Sequence, residues 1–216
     1  MRKAYLLLLL STFTVSSLYG QESCSIYGLV LDSLYKADLN VLVRDHEQAK
    51  TNSQSADDHS SEDFTAKQVP YMIFMETELI NFQEHWARPW IRKIIDNKEE
   101  LRQQEFYPRD KEMRLRCEDF GVNFCYELIS LRQSDTFDYS SAVYCPAKDA
   151  EFVYKKKVKW SQLVFSGKQN FAILFCEVKH RRGRGDEVIW LFTLVREDDK
   201  WAINSCDRSR TYSGLN

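Results

Sequence analysis

The residues best equipped for chemistry sit in one run, Lys179-His180-Arg181-Arg182-Gly183-Arg184-Gly185. Arginine forks match the paired oxygens of phosphates, sulfates and carboxylates. His180, Arg181, Arg182 and Arg184 are therefore the candidates for holding an anion or a partner. The simpler reading is a hairpin loop kept soluble by its charges, with the glycines supplying left-handed backbone. Arg184-Gly185-Asp186 also spells a cell-adhesion tripeptide, a match short enough to recur by chance. Asp45-His46 offers a second chemistry, a histidine oriented by a neighbouring carboxylate as in a general base. Its simpler reading is an exposed strand end. Glu84 and His85 are adjacent, so on a helix they point in different directions, and the second histidine of a zinc-protease helix is missing. His59 lies in a purely polar stretch.

The cysteines carry the next candidate chemistry. All six, Cys24, Cys117, Cys125, Cys145, Cys176 and Cys206, lie beyond the first twenty residues. An even count in an exported chain reads as disulfides, with the pairing left open. Cys176 and Cys206 fall in neighbouring β segments, and Cys117 and Cys125 are close along the chain, so these four are the candidate bridging residues. No C-x-x-C or Cys/His cluster of zinc-site spacing occurs, and no histidine stands near a cysteine in the pattern of an activated nucleophile. There is no G-x-S-x-G elbow, phosphate-cradling loop or dinucleotide fingerprint, and only 7 glycines from which to build one. No catalytic, cofactor-binding or metal-ligating residue is assigned.

The chain opens with Arg2 and Lys3, an apolar run from Ala4 to Leu10, and a small, polar exit at Ser16-Ser17-Leu18-Tyr19-Gly20. That is the layout of a cleavable secretory signal, shorter than the roughly 20 apolar residues of a membrane span. Residues 1–20 are read as the signal, with cleavage after Gly20 and Ser17 as the alternative. Residues 21–207 are read as a single domain, and 208–216 as a polar tail. Cleavage removes two basic residues and no acidic one, taking the formal charge from −2 to −4. A mildly acidic chain excludes the basic footprint of a nucleic-acid binder. The expected location is periplasmic or secreted, with a protein or glycan partner.

The elements that must position these residues follow from periodicity. Ile26, Leu29, Val30 and Leu34 predict a helix over Ser25–Tyr35, and Asp38–Asp45 reads as a buried strand. Residues 47–68 hold almost nothing apolar and read as a mobile insertion. A helical stretch is expected from Pro70 onward, with Leu79, Phe82, Trp86 and Trp90 on one stripe and a break near Pro89. Tyr71, Phe74, Phe82, Trp86 and Trp90 could line a peptide or glycan groove; core packing is the simpler account. Residues 113–120 read as extended, 124–131 as strand or helix, and 144–147 as a turn. Residues 171–178, 188–195 and 201–204 form an antiparallel meander with an acidic turn at Glu197-Asp198-Asp199-Lys200. The fold class is α+β: an N-terminal helix–strand unit and a helical middle packed on a C-terminal antiparallel β-meander.

Ser161-x-x-x-Phe165, the strand containing Ala172, Gly183-x-Gly185, Trp190-Leu191-Phe192 and the turn before Trp201 resemble a group of uncharacterised exported bacterial proteins. The Gly20-Gln21 exit is similar to signals common in Bacteroidetes. The resemblance implies the meander and no activity. The Asp-x-Trp turn also occurs in cone-shaped α+β domains of the nuclear-transport-factor type, a second fold candidate. The functional expectation is an exported, non-enzymatic binding or envelope-associated domain. The rival is a small exported hydrolase using Asp45 and His46 or a free cysteine.

Overall fold

A computed structural model describes residues 21–38, 40, 44, 71–83, 88–108, 113–117, 119–138, 143–145, 150–152, 154–180 and 186–212. Only the backbone is described at 71, 143–145, 150–152, 154, 180, 186–187 and 210–212. The expected first helix is present as α1, residues 21–38. Ile26, Tyr27, Val30, Leu31 and Leu34 fall on one stripe and are buried. Gly28 is required on that stripe because any Cβ would overlap the Phe120 carbonyl. The strand expected over 38–45 is contradicted at each of its described positions, 38, 40 and 44, which are helical. No glycine or proline stands between Tyr35 and Asp45 to stop a helix. The expected mobile insertion, 47–68, lies outside the described residues.

The helical stretch expected after Pro70 is also corrected. Tyr71–Glu76 is strand β1, and Met72, Ile73, Phe74 and Met75 are all buried. A strand covered on both faces reads as an unbroken apolar run, which periodicity does not separate from a buried helix. The break at Pro89 is real. Arg88 is extended, and α2, Pro89–Asp96, begins with the proline at its first turn, where no intrahelical N–H is needed. A short α3 follows at Glu99–Arg102, then β2 at Phe106–Pro108. The ambiguous 124–131 segment divides into β3, Cys125–Ile129, and α4, Leu131–Asp135. Ser130 caps α4 in a reciprocal box with Gln133. The turn expected from Tyr144 is strand through Cys145: β4, Val143–Cys145, pairs with β5, Ala150–Phe152.

The remaining strands are β6, Tyr154–Trp160; β7, Val164–Ser166; β8, Phe171–His180; β9, Asp186–Glu197; and β10, Lys200–Tyr212. The expected meander is β8-β9-β10, and it closes through the acidic turn, where Asp198 and Asp199 both have positive φ, 46° and 62°. Two left-handed residues match the twist of a two-residue hairpin. The polar tail expected from Arg208 is strand as far as Tyr212, held by its ladder to β9.

The strands form a mixed sheet of order β10-β9-β8-β6-β1-β3. β7 pairs with the first part of β8 and β2 pairs with β7. β1 is parallel to both of its neighbours, β3 and β6. One face carries Ile73, Met75, Val158, Trp160, Leu174, Cys176, Val178, Phe192 and Leu194 under α1. The opposite face carries Ile173, Phe175, Ile189 and Leu191 under α2 and α3, and Met72, Phe74, Cys125 and Ile129 beside Phe137. The fold is α+β, with the sheet covered on both sides.

The cysteine pairing differs from expectation. Cys24 on α1 is bonded to Cys117, with Cα atoms 5.5 Å apart and a sequence separation of 93. Cys125 is disulfide-bonded as well. Cys117 packs with the α1-side core and Cys125 with the opposite one, so nearness along the chain misled. Cys176 and Cys206 are free thiols. β9 lies between their strands, which separates them by about 9–10 Å, beyond disulfide reach. A bridge closing so long a loop stabilises chiefly by restricting the unfolded chain, so C24S/C117S is expected to cost about 3–4 kcal/mol. Urea unfolding of the two proteins measures it; an unchanged midpoint would contradict the assignment.

Candidate functional site

An open groove of about 730 Å³ lies where the start of α1 meets the β7–β8 and β9–β10 turns. Its walls are Glu22, Ser25 and Leu29 from α1, Gln169 from one turn, and Arg196, Asp199, Lys200 and Trp201 from the other hairpin. Trp201 is placed by three contacts. Its Nε1 donates to Glu22 Oε1 at 2.9 Å, its ring meets Phe165 edge-on at 5.6 Å, and the Arg196 guanidinium lies 6.0 Å from its centre. Arg196 bridges two carboxylates, Glu22 at 3.5 Å and Asp199 at 3.3 Å. Its backbone N–H donates to Asn170 at 2.9 Å, which ties the two turns together. Gln169 is held with φ at 55°, a conformation side chains other than Asn and Asp seldom adopt. The groove thus combines an indole, an aliphatic patch and both signs of charge. Such surfaces match the aromatic and arginine anchors of protein interfaces.

A second constellation is buried between β1, β6 and α4. Glu76 is only 4% exposed; it accepts from the Ser134 hydroxyl and has Lys157 and Lys159 each 3.5 Å from its oxygens. Lys157 Nζ donates to Ser134 Oγ at 2.6 Å and to the Ser134 carbonyl at 3.1 Å. A lysine against a serine hydroxyl is one way to activate a nucleophile. Here the serine donates to a carboxylate, accepts from the lysine and is itself buried, so the group ties α4 to the sheet and is closed to substrate. Breaking a buried pair costs about 3–5 kcal/mol, whereas a partly exposed one is worth about 1 kcal/mol or less. K157M is therefore expected to lower the urea midpoint far more than K159M. Equal losses would show that the buried group does not hold α4.

His180 closes β8, and Arg181, Arg182 and Arg184 lie outside the described residues. The last described pair of β8 and β9, Lys179 with Glu187, lies at the opposite end of their ladder from the groove. Asp45, His46, His59, Glu84, His85 and Trp86 also fall outside. Phe74 and Phe82 are core residues, 3% and 4% exposed, on a strand and in a helical stretch respectively, and Trp90 packs against the same core as Phe82. Both free thiols resist ionisation. Burial pushes Cys176 far above the ordinary range, and Cys206 is pushed up to about 11 by partial burial and then by the Asp207 carboxylate. Among the described residues, no cluster of three His, Cys, Asp or Glu could hold a metal ion, and no helix is long and apolar enough to cross a membrane.

The groove was missed in the sequence because its residues come from three distant segments. One signal did point to it, the Asp199-Lys200-Trp201 turn. No family model, curated protein or solved structure matches this chain.

A thiol reacts as its thiolate. A raised value means that the folded protein keeps Cys206 protonated to higher pH than the unfolded chain does, so this contribution to folding is lost as pH rises from about 9 to 11. Its iodoacetamide rate should therefore keep climbing past pH 9 and reach half its maximum near 11. A plateau at pH 9 would mean the thiol is not shielded.

Proposed function

We propose that the protein is an exported domain, secreted or periplasmic, that works by binding a protein partner at the Trp201 groove. The signal-like first twenty residues support the address, and disulfides at Cys24–Cys117 and at Cys125 suit an oxidising compartment. The observation that carries the binding reading is Trp201 itself. Glu22, Phe165 and Arg196 fix its ring beside an open, mixed-charge groove instead of in the core. A large aromatic already ordered before association loses little entropy when a partner segment meets it. Arg196 and Asp199 offer opposite charges to the same segment, which favours a peptide chain over a single anion.

The test is site-directed photo-crosslinking in the producing cell, with the photo-reactive residue at Gln169 in the groove or at Arg92 on the exposed side of α2. A defined adduct from position 169, absent from 92 and lost with W201A, is expected. Equal labelling from both positions, or adducts indifferent to W201A, would overturn the groove as the binding site. The intact mass of exported protein checks the address separately: it should lack residues 1–20.

A further inference from the structure

Strand β10 is the outer strand of the sheet, and among the described residues it pairs only with β9. It is long, Lys200–Tyr212, and twelve of its residues have a partner on β9, with a bulge between Ile203 and Ser205. An edge of this length is a template for another strand unless charges, bulges or a covering element guard it. Its side chains at Asn204, Cys206 and Arg208 are exposed, and Cys206 is a free thiol.

Symmetry narrows what can add to this edge. If a second copy pairs antiparallel to β10, the two-fold axis stands perpendicular to the joined sheet. Residues directly opposite each other then lie on the same face, so one residue of β10 must stand opposite its own copy. The bulge sets the faces. Trp201, Ile203, Cys206 and Arg208 oppose α1-side residues of β9 or follow in step with them, and Ser205 and Asp207 lie on the other side. The two registers of greatest overlap place either Asp207 or Cys206 on the axis. The first sets a carboxylate against its own copy, which is destabilising. The second sets thiol against thiol, with Ser205 opposite Asp207 of the second copy, Ile203 opposite Arg208, Trp201 opposite Arg210 and Lys200 opposite Thr211. No like charges meet in that register. The charges that guard the edge thus choose one pairing.

We propose that the protein forms a symmetric dimer by antiparallel pairing of β10 with β10 of a second copy, locked by a Cys206–Cys206 disulfide. The oxidant is an external disulfide of the glutathione class. The small fraction of Cys206 that is thiolate below its raised pKa attacks it, forming a mixed disulfide and releasing one small thiol. Cys206 of the second copy then attacks the protein sulfur, forming the intermolecular S–S bond and releasing the other thiol. Two protein thiols are oxidised and one small disulfide is reduced to two thiols. The Lys98 ammonium, 3.0 Å from Asp207 Oδ2, stays on the opposite face and keeps that carboxylate compensated. The pairing follows from the strand edge and not from what the groove binds, and Lys200 and Trp201 belong to both surfaces.

The test is non-reducing electrophoresis with sedimentation velocity on the exported protein in oxidised glutathione at pH 8. A species of twice the monomer mass that collapses with reductant is expected; it should be lost in C206S and kept in C176S. In the C206S background, S205C/D207C should restore the cross-link because those positions face each other, while S205C alone should not. A protein that stays monomeric, a Cys206 that ends as a stable glutathione adduct, or a cross-link as strong with S205C alone would overturn the proposal.

Discussion

Three consecutive lysines in an inner strand set the terms for the rest of the structure. Lys155 and Lys156 are each 1% exposed, as buried as Trp160 in the same strand. An ammonium taken out of water is tolerable only when acceptors close around it. Because successive strand residues point to opposite faces, the run demands acceptors on both sides of the sheet. Asp38, at the end of α1, meets Lys156 at 2.5 Å. On the other face, the Asp138 carbonyl accepts from Lys155 at 2.8 Å with the Phe137 ring nearby, and Glu76 and Ser134 meet Lys157. The placements of α1, β1 and α4 are thereby coupled through one strand. Apolar packing supplies most of the driving force, but it does not by itself choose which helix end lies over which strand. The paired charges do.

This coupling explains which parts of the fold could be read from residues alone. α1 announces itself because one face is wet and the other dry, which gives a clear 3.6-residue period. β8, β9 and β10 are separated by turn residues and therefore show as three runs. β1 is buried on both faces and carries no alternation; with a proline before it and helix-like spacing after it, a helix was the natural reading. Nothing in the sequence marks Lys155–Lys157 as buried, since the counter-charges are far away along the chain. The cysteines misled for a related reason. Closeness along the chain or between similar segments says little about which side of a sheet a thiol occupies, and Cys117 and Cys125 lie on different sides.

The groove follows from the same architecture. Glu22 reaches Trp201 only because α1 is fixed across the sheet, by Cys24–Cys117 and by Tyr27, whose hydroxyl donates to the Ser161 carbonyl at 3.1 Å. Tyr27 also meets Trp160 edge-on at 5.5 Å. The first turn of α1 thus faces the tips of two hairpins, and residues with no local relationship share one surface. Of the candidate site, only the Asp199-Lys200-Trp201 turn could be seen beforehand; the carboxylate and the arginine that hold the indole become visible only in three dimensions.

The parallel pairing of β1 has a consequence for how the chain assembles. Antiparallel neighbours such as β8, β9 and β10 are joined by short connections and can zip as soon as they exist, whereas β1 must wait for two strands that lie far downstream. Contacts of such long sequence separation slow folding, because loop entropy is lost before the contact is gained. The C-terminal meander is therefore the natural nucleus, with β6 docking onto β8 and β1 filling the space between β6 and β3 afterwards. Until then the apolar run Met72–Met75 stays uncovered. A chain with this topology completes its core only once β1 is seated between β3 and β6, so its vulnerable period lasts until that one central strand is in place.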